Sequence, residues 1–411
     1  MLRPGQTIVI CVIALLTLGI VMVTSAGLTI DEQHAVSLSG MLTGRPVLYA
    51  LGAVAMMFLA SWVRVEWLRG PMEGSAARRI LLTPVTWLGI LSVLCLCLVY
   101  VDGFGKEVND ARRWIHLGPA SLKLSFQPSE VAKWAMIFVI AAYIVHLGTE
   151  RMKRFATGLV PALAITMLVC ALIVLEDLGT AVLIGAVALF LLFAGGARWW
   201  HIGILFPLPA AGVVLAVLTS EYRRARILAF LDPYADPQGT GYHMIQSMVA
   251  VAEGKVTGRG LGHGVYKFGY LPEDTTDFLF AVICEELGLF GAALVVFLYL
   301  LLLFAGASIA RRQSEPLARF VALGIVATIG MQAVMNLMVV TGLAPTKGIA
   351  LPLLSSGGTG WILTAACLGL LVGMDRRAAG REAPAESKSG AGCAEIPRRV
   401  PFHPCAPARP A

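Results

Sequence analysis

The sequence predicts an all-α polytopic membrane protein with about ten transmembrane helices and one large extracytoplasmic loop containing short interfacial helices. Three observations carry that prediction. Of the 411 residues, 57% are hydrophobic and only 14% charged, and the mean hydropathy of +0.78 is far above that of a soluble domain. Apolar runs of membrane-crossing length recur along nearly the whole chain. Arginine and lysine gather in alternate connections between those runs.

The runs lie at 7–27, 45–63, 80–101, 131–147, 157–175, 178–194, 201–219, 278–304, 320–341 and 347–373. Hydrocarbon offers no partner to open backbone groups, so each is expected to be a helix. The first, Thr7 to Ala26, is about 20 residues, a full span, and lacks the short core and small-residue cleavage site of a removable signal. An even count puts both termini on one side. Arg64, Arg69, Arg78 and Arg79 follow the second run, Arg151, Lys153 and Arg154 the fourth, and Arg198 the sixth. Arg311, Arg312 and Arg319 follow the eighth, and Arg376, Arg377 and Arg381 the tenth. All these connections share the side of the N-terminus, which the positive-inside rule makes the cytoplasm. The transmembrane domain is expected over 1–377. Residues 378–411, rich in Pro, Ala, Gly and Ser, cannot bury a core and are expected to be a disordered cytoplasmic tail.

Six of the eight cysteines lie in apolar runs and two in the tail, with no CxxC or Cys/His metal spacing, so they read as packing thiols. The net charge of +7 would point to nucleic acid in a soluble chain. Here it fits membrane orientation and contact with phosphorylated lipid.

Two connections break the charge alternation. The loop 102–130 carries Lys106, Arg112, Arg113 and Lys123, and 220–277 carries Arg223, Arg224, Arg226, Lys255, Arg259 and Lys267. Either these are solvated loop charges, or, interleaved with aromatics and glycines as in ARRWI and GHGVYKFGY, they form a groove for an anionic headgroup. Within 220–277, EYRRARILAFLDP and YHMIQSMVAVAEG are amphipathic and read as short interfacial helices. Gly258, Gly260, Gly262 and Gly264 superficially resemble a dinucleotide loop, but no strand precedes them, so no nucleotide site is expected.

From Gly264 to Gly291 the chain passes from a turn-forming loop bearing Lys267, Glu273, Asp274 and Asp277 into an apolar run that starts at Phe278. Asp277 stands at the boundary, where it can be a helix N-cap or a partly desolvated general base. Glu130 and Lys133 share a face of the fourth span, as a structural pair or as site residues. Glu176 and Asp177 mark a break before the sixth span. Helical phase places Glu285 about 80° from Asp277 and Glu286 about 180° from it, so only Glu285 is expected beside an Asp277 site.

The segments ARRWIHLGPASLKLSFQPSEVAK, EYRRARILAFLDPYADPQGTGYHMIQS, LPEDTTDFLFAVICEELGLFG and VVTGLAPTKGIALPLLSSGG closely resemble the SEDS family (shape, elongation, division and sporulation), from the first helix to about Arg377. KFGYLPE and GLAPTKG are more similar to its division member than to its elongation member. The resemblance implies a peptidoglycan glycosyltransferase of the bacterial cytoplasmic membrane, polymerising lipid II into nascent glycan at the division site. It also implies a class B penicillin-binding protein and other division proteins as partners. The family's essential aspartate, in PE-x-x-TDF, falls on Asp277, with Glu273 as the Glu of that motif. The loop tryptophan falls on Trp114, the QPSE-x-x-K residues on Gln127, Ser129, Glu130 and Lys133, the PTKG lysine on Lys347, and the first serine of S-Y-G-G on Ser355. Departures are Thr275 for the usual His, Ser356 for the usual Tyr, and Gly269 for a bulkier residue.

Joining an α-linked donor into a β-linked glycan inverts the anomeric carbon, so one displacement of undecaprenyl pyrophosphate suffices. Asp277 is the expected base. Arg112, Arg113, Arg223, Lys255 or Lys347 are expected to hold the pyrophosphate, with a divalent cation (Mg2+ or Mn2+) as a further candidate; Lys267 joins them as a substrate contact. The alternatives are a lipid II flippase, which should place ionisable groups and broken helices near the midplane, and a recruiting scaffold.

Overall fold

The computed structural model describes residues 2–27, 44–70, 83–101, 105–108, 111–117, 124–267, 271, 275–356 and 358–382; at 69, 105–108, 111–113, 116–117, 124–125 and 381–382 the description is of backbone alone. Among the described residues there are twelve principal helices and a small sheet: α1 (Pro4–Ala26), α2 (Arg45–Trp62), α3 (Pro84–Leu98), β1 (Gly105–Val108), β2 (Ala111–Leu117), β3 (Leu124–Phe126), α4 (Pro128–Leu147), α5 (Phe155–Val174), α6 (Leu178–Ala194), α7 (Trp199–Leu218), α8 (Glu221–Leu231), α9 (Tyr242–Glu253), α10 (Leu279–Arg312), α11 (Pro316–Val340) and α12 (Thr359–Glu382). Among the described residues, α1, α2, α4, α5, α7, α10 and α11 are long and apolar enough to cross a membrane, and α3 and α6 are shorter apolar helices. With α12, they match the expected spans one for one. The protein is an integral membrane protein.

Helix starts follow local chemistry. Proline occupies the first turn of α1, α2, α3, α4 and α11, where its missing N–H costs nothing. Asp177 caps α6 by accepting from the Thr180 amide at 3.0 Å. The two amphipathic segments of the long connection form α8 and α9, as their patterning predicts.

Packing is tightest at two seams. Ile8, Leu15 and Met22 of α1 and Val295, Leu302 and Ile309 of α10 repeat every seven residues and are fully buried, the spacing that keeps one face toward a partner helix; α1 and α10 pack together. α12 lies against α2. A Cβ on Gly369 would sit 2.2 Å from the Met57 carbonyl oxygen, and one on Gly373 2.3 Å from that of Ser61. Small residues four apart thus let the two backbones touch, the usual way membrane helices gain close contact. α7, by contrast, contributes no buried residue.

The structure corrects several expectations. The 102–130 connection holds a three-stranded antiparallel sheet, β1–β2–β3, with Lys106 opposite Trp114 and His116 opposite Ser125. The tenth span begins at Thr359, not at 347, because Pro345, Gly348 and Pro352 keep 344–358 out of helix. α12 also runs past residue 377 to Glu382, so the expected domain boundary falls inside a helix; the tail beyond it lies outside the described residues. α10 runs to Arg312 but breaks at Gly288 (φ 64°, ψ −157°). The carbonyls freed there accept from the Arg259 and Gly260 amides, each at 2.9 Å. Asp277 itself lies in the turn before α10 and not on the helix, so helical phase does not relate it to the glutamates. Glu285 accepts from the Val265 amide at 2.6 Å. Glu286 takes Lys267 Nζ at 2.7 Å, Ser25 Oγ at 2.9 Å and the Gly262 amide at 3.0 Å. Neither lines the Asp277 cavity.

Candidate active site

A cavity of about 870 Å3 opens where α4, α6, α8, α11, α12 and the Asp277 turn meet the segment between α11 and α12, a size suited to a large organic ligand. That segment is not helical from 341 to 356, and it is buried at Ile349 and from Leu351 to Ser355. Buried irregular backbone needs partners from its surroundings, and side chains supply them. Gln332 Nε2 donates to the Ala350 carbonyl at 2.8 Å, and Asn336 Nδ2 to the Ile349 carbonyl at 2.7 Å. The Tyr299 hydroxyl donates to Pro352, and the Leu351 amide donates to Ser355 Oγ at 3.1 Å. Leu353, fully buried, is held at φ 65°, a conformation that persists only where its surroundings enforce it.

Asp277 lies half-buried in the cavity wall, in the turn before α10. Phe278, not Asp277, holds the N-cap position of that helix, and no side chain caps it. Asn336 Nδ2 donates to the Asp277 main-chain carbonyl at 2.8 Å, fixing the backbone from which the carboxylate projects.

The cations differ in how much of their donor capacity is already used. Lys133 donates to both Glu130 oxygens at 2.8 Å and to Gln332 Oε1 at 2.9 Å. Its three protons are spent, so the Glu130–Lys133 pair is a built structural element of the wall. Arg223 donates to the carbonyls of Val174, Leu175 and Ala216 at 2.7, 2.6 and 3.1 Å, satisfying the ends of α5 and α7. Arg226 reaches the Thr346 carbonyl at 3.2 Å, bonds the Tyr222 hydroxyl, and lies over that ring at 4.3 Å. Lys347 donates to no described group; burial pulls its ammonium below the ordinary lysine range, and the nearby Asp177 carboxylate partly opposes this.

The cavity gathers Asp277, Trp114, Glu130, Lys133, Arg223, Lys347 and Ser355 from the sequence-derived candidates. Lys255 is exposed and Lys267 buried, and neither lines it. Lys267 instead donates to Glu286, to Ser25 Oγ at 3.0 Å and to the Gly262 carbonyl at 3.0 Å, which leaves it no proton for a substrate. Arg112 and Arg113 sit on β2, with Arg112 opposite Glu107, but their side chains, like Glu273, lie outside the described residues. The sequence reading named Arg226 only among the loop cations, and it missed Gln332 and Asn336. The signal for the last two was present: two amides four apart inside an apolar span. Thr275 and Ser356, two of the three positions that depart from the family pattern, are joined: the Ser356 amide donates to the Thr275 carbonyl at 3.0 Å; the third, Gly269, lies outside the described residues.

Among the described residues no three His, Cys, Asp or Glu side chains gather as a metal-holding set. Mg2+ commonly takes one or two carboxylates and completes its shell from substrate phosphates and water. The carboxylates of Asp277 and Asp177 both line the cavity, and that of Asp177 already accepts from the Thr180 amide and hydroxyl at 3.0 and 2.7 Å.

The model of a family described as cell cycle protein, FtsW/RodA/SpoVE, matches residues 6–379. A probable peptidoglycan glycosyltransferase FtsW from Geobacter metallireducens is 36% identical over 379 residues, covering 92% of this chain and 96% of that one. Stage V sporulation protein E from Bacillus subtilis is 36% identical over 378 residues, covering 91% and 97%. Among solved structures, a chain of a peptidoglycan synthase complex that coordinates polymerization and crosslinking aligns with a TM-score of 0.65 at 28% identity, covering 90% of this chain and 97% of that chain. The rod shape determining protein RodA of Thermus thermophilus aligns with a TM-score of 0.61 at 26% identity, covering 90% and 95%.

Proposed function

Because the chain belongs to the FtsW/RodA/SpoVE family of cell cycle proteins, the SEDS family, we propose that it is a peptidoglycan glycosyltransferase that polymerises lipid II in septal wall synthesis. One observation carries the reading at the level of chemistry: a carboxylate, Asp277, and a lysine that donates to no side chain or carbonyl among the described residues, Lys347, line the same large cavity. Asp277 takes the proton from the acceptor sugar hydroxyl. The hydroxyl oxygen bonds to the anomeric carbon of the donor as the bond to pyrophosphate breaks, and the leaving group departs with the electron pair. Lys347, with Arg226 beside it, neutralises the charge that develops on that pyrophosphate, where fixed cations act most strongly. Trp114 offers a ring face to a sugar. A divalent cation entering with the pyrophosphate would be held by Asp277 or Asp177 and would supply further charge neutralisation; no step here depends on it.

In this proposal both termini are cytoplasmic, the cavity opens outward, and the chain acts at the division site with a class B penicillin-binding transpeptidase. The flippase alternative is separated by one experiment: purified protein given labelled lipid II. Glycan polymer supports the reading; translocation across vesicles without polymer, or neither, overturns it.

A further inference from the structure

The groups assigned to the chemistry come from separate pieces of chain, the turn before α10 and the loop after α11. What sets the distance between them is not covalent. Gln332 and Asn336 are four residues apart and so project from one face of α11. From that face Asn336 Nδ2 donates at once to the Asp277 carbonyl at 2.8 Å and to the Ile349 carbonyl at 2.7 Å. Gln332 Nε2 donates to the next carbonyl, Ala350, at 2.8 Å, while its Oε1 accepts from Lys133. The Ile349 amide donates in turn to the Lys347 carbonyl at 3.1 Å, so the anchored stretch leads directly to the lysine.

The amide orientations are forced. Lys133 can only donate, so Gln332 must turn its oxygen to it and its NH2 to Ala350. Asn336 faces two carbonyl oxygens and must present both N–H groups to them. Its Oδ1 is then left buried with no partner among the described residues, an arrangement that works against stability. A buried amide kept at the expense of an orphaned acceptor is kept for what its donors hold.

We propose that Gln332 and Asn336 are positioning residues of the transferase site: one face of α11 fixes the Asp277 turn and the Lys347 loop at the spacing the displacement requires. This rests on the glycosyltransferase reading above. Neither residue need touch the reacting atoms.

The test uses the full-length protein in detergent or liposomes with labelled lipid II, and the variants Asn336→Asp and Gln332→Glu. Each replaces an NH2 donor by an oxygen of nearly equal size, which removes the anchor and adds a buried carboxyl group, so Asn336→Ser, which adds no charge, is measured beside them. Small displacements of a reacting group cost about 10²-fold in rate, and the expected result is a fall in kcat of that order with KM for lipid II within about threefold of the parent. Rates are read well below each variant's melting temperature, on protein shown folded by its melting transition. Parental kcat in both variants overturns the inference, as does a loss confined to KM or one that disappears once the fraction folded is accounted for. Should Asn336→Asp not fold, Asn336→Ser and Gln332→Glu carry the same kcat-against-KM comparison. A parent that makes no polymer overturns the glycosyltransferase reading itself; an active parent with fully active variants overturns only this one.

Discussion

The side-chain amide of Asn336 holds the main chain of Asp277, not its carboxylate: Nδ2 lies 2.8 Å from the Asp277 carbonyl oxygen. Backbone placement and side-chain chemistry at residue 277 are therefore separable. Asp277→Asn keeps the size and the anchored carbonyl while removing the ability to accept a proton. Polymerisation should fall by about 10²–10⁴-fold, the usual worth of a general base. Its melting temperature should stay close to the parent's, since no helix cap is lost. Glycan chain length on labelled lipid II, set beside a thermal melt, checks both; near-parental polymerisation would remove Asp277 from the chemistry.

Lys347 predicts an alkaline limb. Burial holds its ammonium below the ordinary lysine range, where an unperturbed lysine titrates at about 10.4. The charge is present at low pH and is lost as pH rises through that lowered value, so turnover should decline earlier on the alkaline side than an ordinary lysine would dictate. Lys347→Arg, which stays charged to about pH 12 or beyond, should move the limb upward, and Lys347→Gln should remove it along with most activity. A pH–rate profile in which all three proteins share one alkaline limb would assign it elsewhere.

The Lys267–Glu286 pair is fully buried. Removing one partner strands a charge, and such losses run to about 3–5 kcal/mol. Lys267→Met and Glu286→Gln are each expected to lower the melting temperature sharply, while the double variant recovers part of the loss. A double-mutant cycle in detergent measures the coupling; strict additivity would contradict the pairing.

Gly288→Ala should be among the more damaging single-methyl additions. The residue stands at φ 64°, and a Cβ there would lie 2.3 Å from the Gly258 nitrogen and 2.6 Å from the Val256 carbonyl oxygen. Both are main-chain atoms, so nothing flexible can yield. Loss of the folded fraction on fluorescence-detected chromatography is the expected readout, with Gly185→Ala, where a Cβ meets nothing, as the tolerated control.

Topology is testable in whole cells. A cysteine placed near Gln238 should react with impermeant maleimide, and one near Ser387 should not; the reverse pattern would invert the orientation.

The spans were legible because length and hydropathy alone force helices in lipid. The segment after α11 was not: IALPLL has the composition of a span, and composition does not show that Gln332, Asn336 and Tyr299 take over the hydrogen bonds a helix would have made. The small sheet was hidden for the opposite reason, since ARRWIHL has no alternation of apolar and polar residues to betray a strand. At the site, the place of Asp277 between polar and apolar sequence left cap and base both open, and the structure puts Phe278 in the N-cap position and Asp277 in the cavity wall. Arg223 and Lys267 were identified as cations, but sequence could not show that carbonyls and a glutamate already occupy them.

The contact among Ser25, Lys267 and Glu286 has a consequence for biogenesis. Lys267 and Glu286 are 19 residues apart, near enough to leave the ribosome almost together and meet while α10 is entering the bilayer. Ser25 is separated from Glu286 by 261 residues. α1 is thus made long before its acceptor on α10 and stays unfastened at that end until residue 286 has been translated. Nascent chains that stall before residue 286 should carry an α1 that is inserted but unclamped, which makes this end of the helix a natural point for quality-control proteases to sense unfinished molecules.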